Sequence, residues 1–268
     1  MRLPVGPRRV ASARSRADAR EGAVDEVARD LRAAVPGRGR ALVAVDGPGG
    51  SGKSTFAAAL AQRVPGRPVL VLHADDFFHP SAARHARGRL SPEGFWLDAY
   101  DYAALGAWVL APLARGGDGL YRTHAIDHAA DRAVRPDVLR APQDAVVVVE
   151  GTFLHRDELV GSWDFSVYLD VPLDESSRRL ALRDGIDPDT RHGLLRRYTE
   201  AQRLYFAAAA PWERASVVVD TTDATGPRVV DASAVAARER RRPPAAGEGP
   251  SASVVRPGRP ARPARTSG

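Results

Sequence analysis

Cysteine and asparagine are absent from the 268 residues, lysine occurs once, and methionine occurs once. Without cysteine there are no disulfides, no thiol catalysis and no cysteine-ligated metal, which fits a reducing cytoplasm. No apolar run approaches the roughly 20 residues that a bilayer span needs, so the sequence predicts a soluble protein with no membrane partner. The first twenty residues lack the apolar centre of a secretory signal, although they are rich in Arg and poor in acids. The missing asparagine removes two signatures at once. His155-Arg156-Asp157-Glu158-Leu159 resembles the loop H-R-D-L-x-x-x-N but lacks its Asn, and no Asn-Lys-x-Asp guanine-reading motif exists.

The scarcity of lysine is informative in another way. Of 39 basic residues, 38 are Arg and one is Lys53. A GC-rich coding bias accounts for the arginines. It does not account for the survivor, which stands where a compact ammonium on a flexible stem is needed and a planar guanidinium would not fit.

Lys53 belongs to the stretch from Ala41 to Ala61, ALVAVDGPGGSGKSTFAAALA, which is an apolar strand, a glycine-rich loop and the start of an Ala-rich helix. GPGGSGKS satisfies G-x-x-x-x-G-K-[ST], with Gly47, Gly52, Lys53 and Ser54 at the fixed positions. Gly47, Gly49, Gly50, Ser51, Gly52 and Thr55 are expected to turn backbone N–H groups toward phosphate oxygens, helped by the helix dipole. Lys53 is expected to reach the β- and γ-phosphates of ATP, and the Ser54 hydroxyl to ligate Mg²⁺.

The net charge of +6 is unevenly spread. Residues 1 to 20 carry +5 and residues 238 to 268 carry +6, so the middle is acidic at −5. These compositions predict disordered basic ends at 1 to 20 and 231 to 268 around a single domain at 21 to 230. Weak contact with nucleic acid through the tails is the most they suggest, and a homo-oligomer is left open.

Along the chain, helical spacing covers Glu21 to Val35, and a second short strand, VLVLH, covers Val69 to His73. Strand, crossover helix and strand imply parallel pairing, with ligands beyond the carboxyl ends of the strands. Pro80 to Leu97 is expected to be an irregular loop over the site, and Ala99 to Leu113 an amphipathic helix. Strand spacing appears around Leu120 to Ile126, at Ala145 to Val149, at Phe165 to Leu169 and at Ser216 to Asp220. Helices are expected from Leu173 to Arg183 and from about Arg191 to Ala210.

Three groups of residues stand where those strands end. Asp75 and Asp76 follow the second strand, where a carboxylate can accept an alcohol proton facing a γ-phosphate or act in a link to Mg²⁺. Glu150 follows AVVVV and is a candidate Mg²⁺ partner. Arg179, Arg183, Arg191, Arg196 and Arg197 flank a short break between helices, where a lid could bring cations onto transferring phosphate. The aromatics and histidines Phe77, Phe78, Phe95, Trp96, Tyr100, Tyr121, His124 and His128 together suggest an acceptor pocket able to stack on a planar base.

With VAVDGPGGSGKST at 43 to 55, DDFF at 75 to 78, VVVEG at 147 to 151, Arg183-Asp184, and Arg197-Tyr198 leading to Pro211, the chain resembles the uridine kinase family of P-loop nucleoside kinases. The likeness spans about Arg40 to Asp223. It implies a three-layer α/β fold around a five-stranded parallel sheet. It also implies ATP and Mg²⁺ as cofactors, and a pyrimidine nucleoside, uridine or cytidine, as acceptor. By the same resemblance Asp75 is the base acting on the ribose 5′-hydroxyl, Glu150 the Mg²⁺ partner, and Arg183 a catalytic arginine of the lid. Arg179 and Arg191 are expected to hold the nucleotide. Kinases for another alcohol (pantothenate or a sugar phosphate) are the enzymatic alternative, and a slowly hydrolysing P-loop switch is the alternative from another class.

Overall fold

The computed structural model describes residues 13–185 and 193–235, with the side chains of 22–185 and 193–235. Of the expected disordered ends at 1 to 20 and 231 to 268, residues 1–12 and 236–268 lie outside the described residues, as does Arg191 with the rest of the segment 186–192; residues 13–20 are helical.

The first helix, α1, runs over Ala13–Ala34 and begins upstream of the expected Glu21. Strand β1 (Ala41–Asp46) follows, then helix α2 (Lys53–Ala61) and strand β2 (Val69–His73). A long excursion holds α3 (Ser81–Arg84), α4 (Pro92–Asp98), α5 (Tyr102–Leu105) and α6 (Ala111–Leu113). Four two-residue strands close it: β3 (Leu120–Tyr121) with β6 (Leu139–Arg140), and β4 (Ile126–Asp127) with β5 (Arg132–Ala133). The chain then returns through β7 (Val146–Gly151), β8 (Phe165–Asp170), α7 (Leu173–Asp184), α8 (Leu194–Ala209), α9 (Pro211–Arg214), β9 (Val217–Asp220) and β10 (Arg228–Val230).

The main sheet has the order β10-β9-β8-β1-β7-β2. Five of its strands are parallel, as the resemblance implies, and β10 adds a sixth that runs antiparallel on the edge beside β9. β1 lies between β7 and β8, so its carboxyl end opens onto the crevice where crossovers depart in both directions.

Alternation along the strands builds the two faces. Ala41, Val43, Val45, Val146 and Val148 pack against α1 and α2 through Val27, Leu31, Ala57 and Leu60. Leu42, Ala44, Val147 and Val149 pack on the opposite face with Leu105, Leu113, Phe153 and Tyr205. β1, β7 and β8 are buried at every position, as befits central parallel strands covered on both sides.

The excursion is more ordered than its polarity suggests. Pro80 to Leu97 contains α3 and α4, not an irregular loop. Ser91 caps α4, accepting from the Gly94 N–H at 3.0 Å, and Pro92 occupies the first turn, where its missing N–H costs nothing. The single helix expected over Ala99 to Leu113 is broken. Asp101 caps α5 through the Ala104 N–H, and residues 106–110 widen into a π turn before Pro112. A proline there removes one N–H and crowds the carbonyl four residues back, which is that of Trp108. That freed carbonyl accepts instead from the Arg122 N–H at 3.1 Å.

Candidate active site

Asp46, the last residue of β1, is fully buried. Its Oδ1 accepts from the N–H groups of Gly47 (2.7 Å) and Phe153 (3.1 Å). Its Oδ2 accepts from the His155 N–H (3.1 Å), the His155 ring Nδ1 (2.8 Å) and the Tyr205 hydroxyl. A buried carboxylate needs such a full set of donors. Burial, and then the Asp46 charge, push the Tyr205 phenol well above its ordinary range and keep it a donor. The network ties the start of the phosphate loop to α8 and holds Phe153 at a φ of 71°, a conformation rare for a bulky residue.

Within the loop from 47 to 52, Gly47 and Gly50 are packed so tightly that a side chain is excluded. A Cβ on Gly50, at φ 75°, would lie 2.9 Å from the Ser176 carbonyl oxygen, and one on Gly47 would lie 2.7 Å from that of Leu169. Helix α7 supports the loop from behind: Ser176 Oγ donates to the Gly49 carbonyl at 2.6 Å, and Arg179 donates to that of Gly50 at 3.3 Å. Gly52 turns the chain into α2 at φ 90° with no side-chain cap, leaving the first N–H groups of that helix pointing at the crevice. Ser51 Oγ is buried with no hydrogen-bond partner. Lys53 Nζ donates to the Pro48 carbonyl at 3.0 Å, bridging the loop. Uncapped amides and an ammonium suit the phosphates of ATP.

Parallel register carries a carboxylate to the same place. Glu150 on β7 is paired with His73 on β2 and is 7 % exposed. Its Oε1 accepts from Ser54 Oγ at 2.9 Å and from His73 Nδ1 at 2.6 Å. Among the described residues no group of three or more His, Cys, Asp or Glu could cage a metal alone. One hydroxyl and one carboxylate suit a Mg²⁺ that takes its other oxygens from phosphate and water. Gly151, next in β7, leaves room for Ala74, since a Cβ there would meet that of Ala74 at 2.4 Å.

Asp75 follows β2 in a single 3-10 turn, Ala74–Phe77. Its Oδ1 accepts from the Tyr100 hydroxyl at 2.8 Å. Burial, and then the Asp75 charge, push the Tyr100 phenol well above its ordinary range. Asp76 faces the His128 ring at 3.6 Å instead. Phe78 stacks on Tyr100, with centroids 4.5 Å apart, and meets His128 edge-on at 6.3 Å.

A cavity of about 620 Å³ brings these groups together, lined by Gly49, Gly50, Gly52, Lys53, Ser54, Thr55, Glu150 and Asp75. Phe78, Phe95, Tyr100 and Tyr198 continue the wall. Of the other predicted pocket residues, Phe77 and Tyr121 are core, and His124 is bonded to Thr123. Trp96 packs edge-on against Phe153. Arg179 and Arg183 also line the cavity. Arg179 is engaged by Glu175 (2.7 Å) and by the carbonyls of Thr221 and Thr222, whereas Arg183 pairs with Asp184 at 2.6 Å and is largely exposed. Arg196 is exposed, while Arg197 is buried under Phe95.

Two contributors were not singled out from sequence for the roles they hold. His73 becomes visible only once β2 and β7 are in register, and Asp46 only once α8 folds back. The H-R-D stretch is structural: His155 serves Asp46, Arg156 grips Glu158 at 2.8 Å and stacks on Tyr102, and Asp157 pairs with Arg214 at 2.6 Å.

No protein-family model and no curated protein sequence matches the chain. Solved structures do match it. One is described as a possible uridine kinase from Bacillus stearothermophilus, at TM-score 0.57 and 26% identity, covering 76% of this chain and 97% of the other. Another, from Silicibacter sp. TM1040, is provisionally named a fructose transport system kinase, at TM-score 0.56 and 26% identity, covering 69% and 95%. The structural neighbours of this chain thus include the uridine kinase-like group of P-loop proteins, the group that its motifs resemble.

Proposed function

We propose that the chain is an ATP- and Mg²⁺-dependent kinase that phosphorylates a hydroxyl of a small molecule. The observation that carries this is the shared cavity of Asp75 with the phosphate loop and the Ser54–Glu150 pair. A switch that only binds and hydrolyses nucleotide needs no carboxylate on the acceptor side. The resemblance makes the 5′-hydroxyl of uridine or cytidine the first acceptor to test. The absence of cysteine accords with work in a reducing cytoplasm.

In this reading Asp75 takes the alcohol proton as the new O–P bond forms to the γ-phosphorus and the bond to the β-phosphate oxygen breaks, releasing ADP. Tyr100, held neutral, keeps the Asp75 carboxylate turned toward the acceptor. Lys53 and the loop amides hold the phosphates in line. Bound Mg²⁺ would neutralise charge developing between the β- and γ-phosphates, and Ser54 and Glu150 are the residues to hold it. Arg183, exposed at the cavity wall, is free to swing from Asp184 onto the transferring group.

The test is ADP release over a panel of nucleosides and small alcohols. Acceptor-dependent release, abolished in Asp75→Asn while ATP binding persists, is expected. Equal release with and without every acceptor would sink the kinase reading and promote the switch.

A further inference from the structure

The aromatic side of the cavity is backed by arginine. Phe78, Phe95 and Tyr198 line it. The Arg84 guanidinium lies 5.6 Å from the Phe78 centroid, and that of Arg197 lies 4.9 Å from Phe95 and 5.7 Å from Tyr198. Arg197 is only 5 % exposed, its Nε has no hydrogen-bond partner, and among the described residues no carboxylate pairs with it. A buried guanidinium with no counter-charge is costly to keep.

Of the carboxylates nearby, Asp131 alone reaches one of these arginines among the described residues. It accepts from the Ser81 N–H at 3.0 Å and pairs with Arg84 at 3.6 Å, while none pairs with Arg197. Asp98 is taken by Arg87 at 2.7 Å, Glu93 by the Ser91 hydroxyl at 3.1 Å, Asp76 faces His128, and Asp75 is held by Tyr100. Arg89 is exposed, with no ion pair among the described residues. The surplus is felt locally. Burial, and then the charges of Arg197, Arg84 and Arg89, lower the affinity of His85 for a proton, against a smaller opposing pull from Asp131. Burial also lowers that of Arg197, with Arg84 and Arg89 adding to it against Tyr198.

We infer that the acceptor alcohol carries an anionic oxygen group, a carboxylate or a phosphate, which binds on the Arg84 side of the aromatic wall with Arg197 as a fixed charge behind the rings. Arg197 is buried against Phe95 and Tyr198, so its charge favours an anion more strongly than it would at an open surface. This inference rests on the kinase reading, and a nucleoside satisfies it only if it bears such a group.

The test uses matched pairs with the full chain: uridine against orotidine and glycerol against glycerate for a carboxylate, and fructose against fructose 6-phosphate for a phosphate. At least one anionic member is expected to exceed its neutral partner at least about tenfold in kcat/KM, as one charge-assisted hydrogen bond would give. Arg84→Gln, on a half-exposed side chain, is expected to raise the KM of that acceptor roughly tenfold to a hundredfold. It should change kcat and the KM for ATP far less, and weaken the salt dependence of the acceptor KM. Arg197→Gln should do the same, with its unfolding midpoint recorded alongside. Turnover that favours the neutral members, or an acceptor KM indifferent to Arg84→Gln, overturns the inference and leaves the kinase intact. No acceptor-dependent turnover with any member overturns both.

Discussion

The Tyr100 hydroxyl donates to Asp75 Oδ1 at 2.8 Å from a buried ring in the cavity wall. A hydrogen bond to one oxygen orients the carboxylate and leaves the other free for an incoming alcohol. Asp75→Asn is therefore expected to lower kcat by about 10² to 10⁴, the range for loss of a general base. Tyr100→Phe should lower it by about tenfold, because it removes the orienting bond but keeps the base. Single-turnover kinetics at saturating ATP would check both. An Asp75→Asn enzyme with undiminished turnover would remove the base from Asp75.

Ser54 and His73 both bond to the same oxygen of Glu150, so the carboxylate is positioned before any cation arrives. Loss of an outer-shell partner commonly weakens a metal site by 10- to 100-fold. His73→Ala is expected to raise the Mg²⁺ concentration for half-maximal nucleotide binding by about tenfold, and Glu150→Gln by more. Calorimetric titration of a non-hydrolysable ATP analogue at several Mg²⁺ concentrations reads this without turnover. Nucleotide affinity with the same Mg²⁺ dependence in Glu150→Gln as in the parent would place the cation elsewhere.

Gly50 and Gly52 both have positive φ, yet only Gly50 is crowded by the backbone of Ser176. An Ala at Gly52 meets the conformational penalty alone, ~1–2 kcal/mol. An Ala at Gly50 adds the clash, so the loop or α7 must shift. Gly50→Ala is expected to lower the unfolding midpoint further than Gly52→Ala and to weaken ATP binding as well. Equal midpoints would mean that α7 yields freely.

The phosphate loop was legible because its order of residue types is dictated by what a phosphate needs, and the same holds for Asp75 and Glu150 at strand ends. The parallel sheet was legible from uninterrupted valine runs. The rest depended on distance in sequence. Glu150 meets His73 across 77 positions and Asp46 meets Tyr205 across 159. The π turn was hidden because Pro112 lies in an otherwise periodic stretch, and α4 because its capping serine looked like loop composition. The edge strand β10 has only three residues, too short for any period to show.

The H-R-D stretch offers a contrast inside one motif. Asp157 is 83% exposed on its side chain and holds only Arg214, whereas Asp46, which captures His155, is fully buried. Asp157→Asn is expected to leave turnover within about twofold, because an exposed pair is worth ~1 kcal/mol at most. Asp46→Ala should cost ~3–5 kcal/mol, since it strands buried donors around Phe153 and His155. Chemical denaturation and turnover measured together separate the two. A large loss of turnover in a folded Asp157→Asn protein would give that residue a part in the reaction.

Acid should loosen the loop through Glu175. The hydrogen bond from Arg178, and then that from Arg179, hold its carboxyl down at about 2 from the ordinary 4.5. A carboxylate with a depressed folded-state pKa stabilises fully above its unfolded value, and that stabilisation drains away as pH falls toward the folded one. The window here runs from about 4.5 down to about 2. The pair is partly exposed, so the effect on global stability is modest. Its local reach is longer, because Arg179 also donates to the carbonyls of Gly50, Thr221 and Thr222 and so links α7, the phosphate loop and the end of β9. Glu175→Gln is expected to flatten the decline of the unfolding midpoint across that window and to lower it at neutral pH. Nucleotide affinity should fall at neutral pH in the same variant, since Arg179 loses the carboxylate that aims it. A pH dependence identical in Glu175→Gln and the parent would show that other carboxylates carry the acid limb.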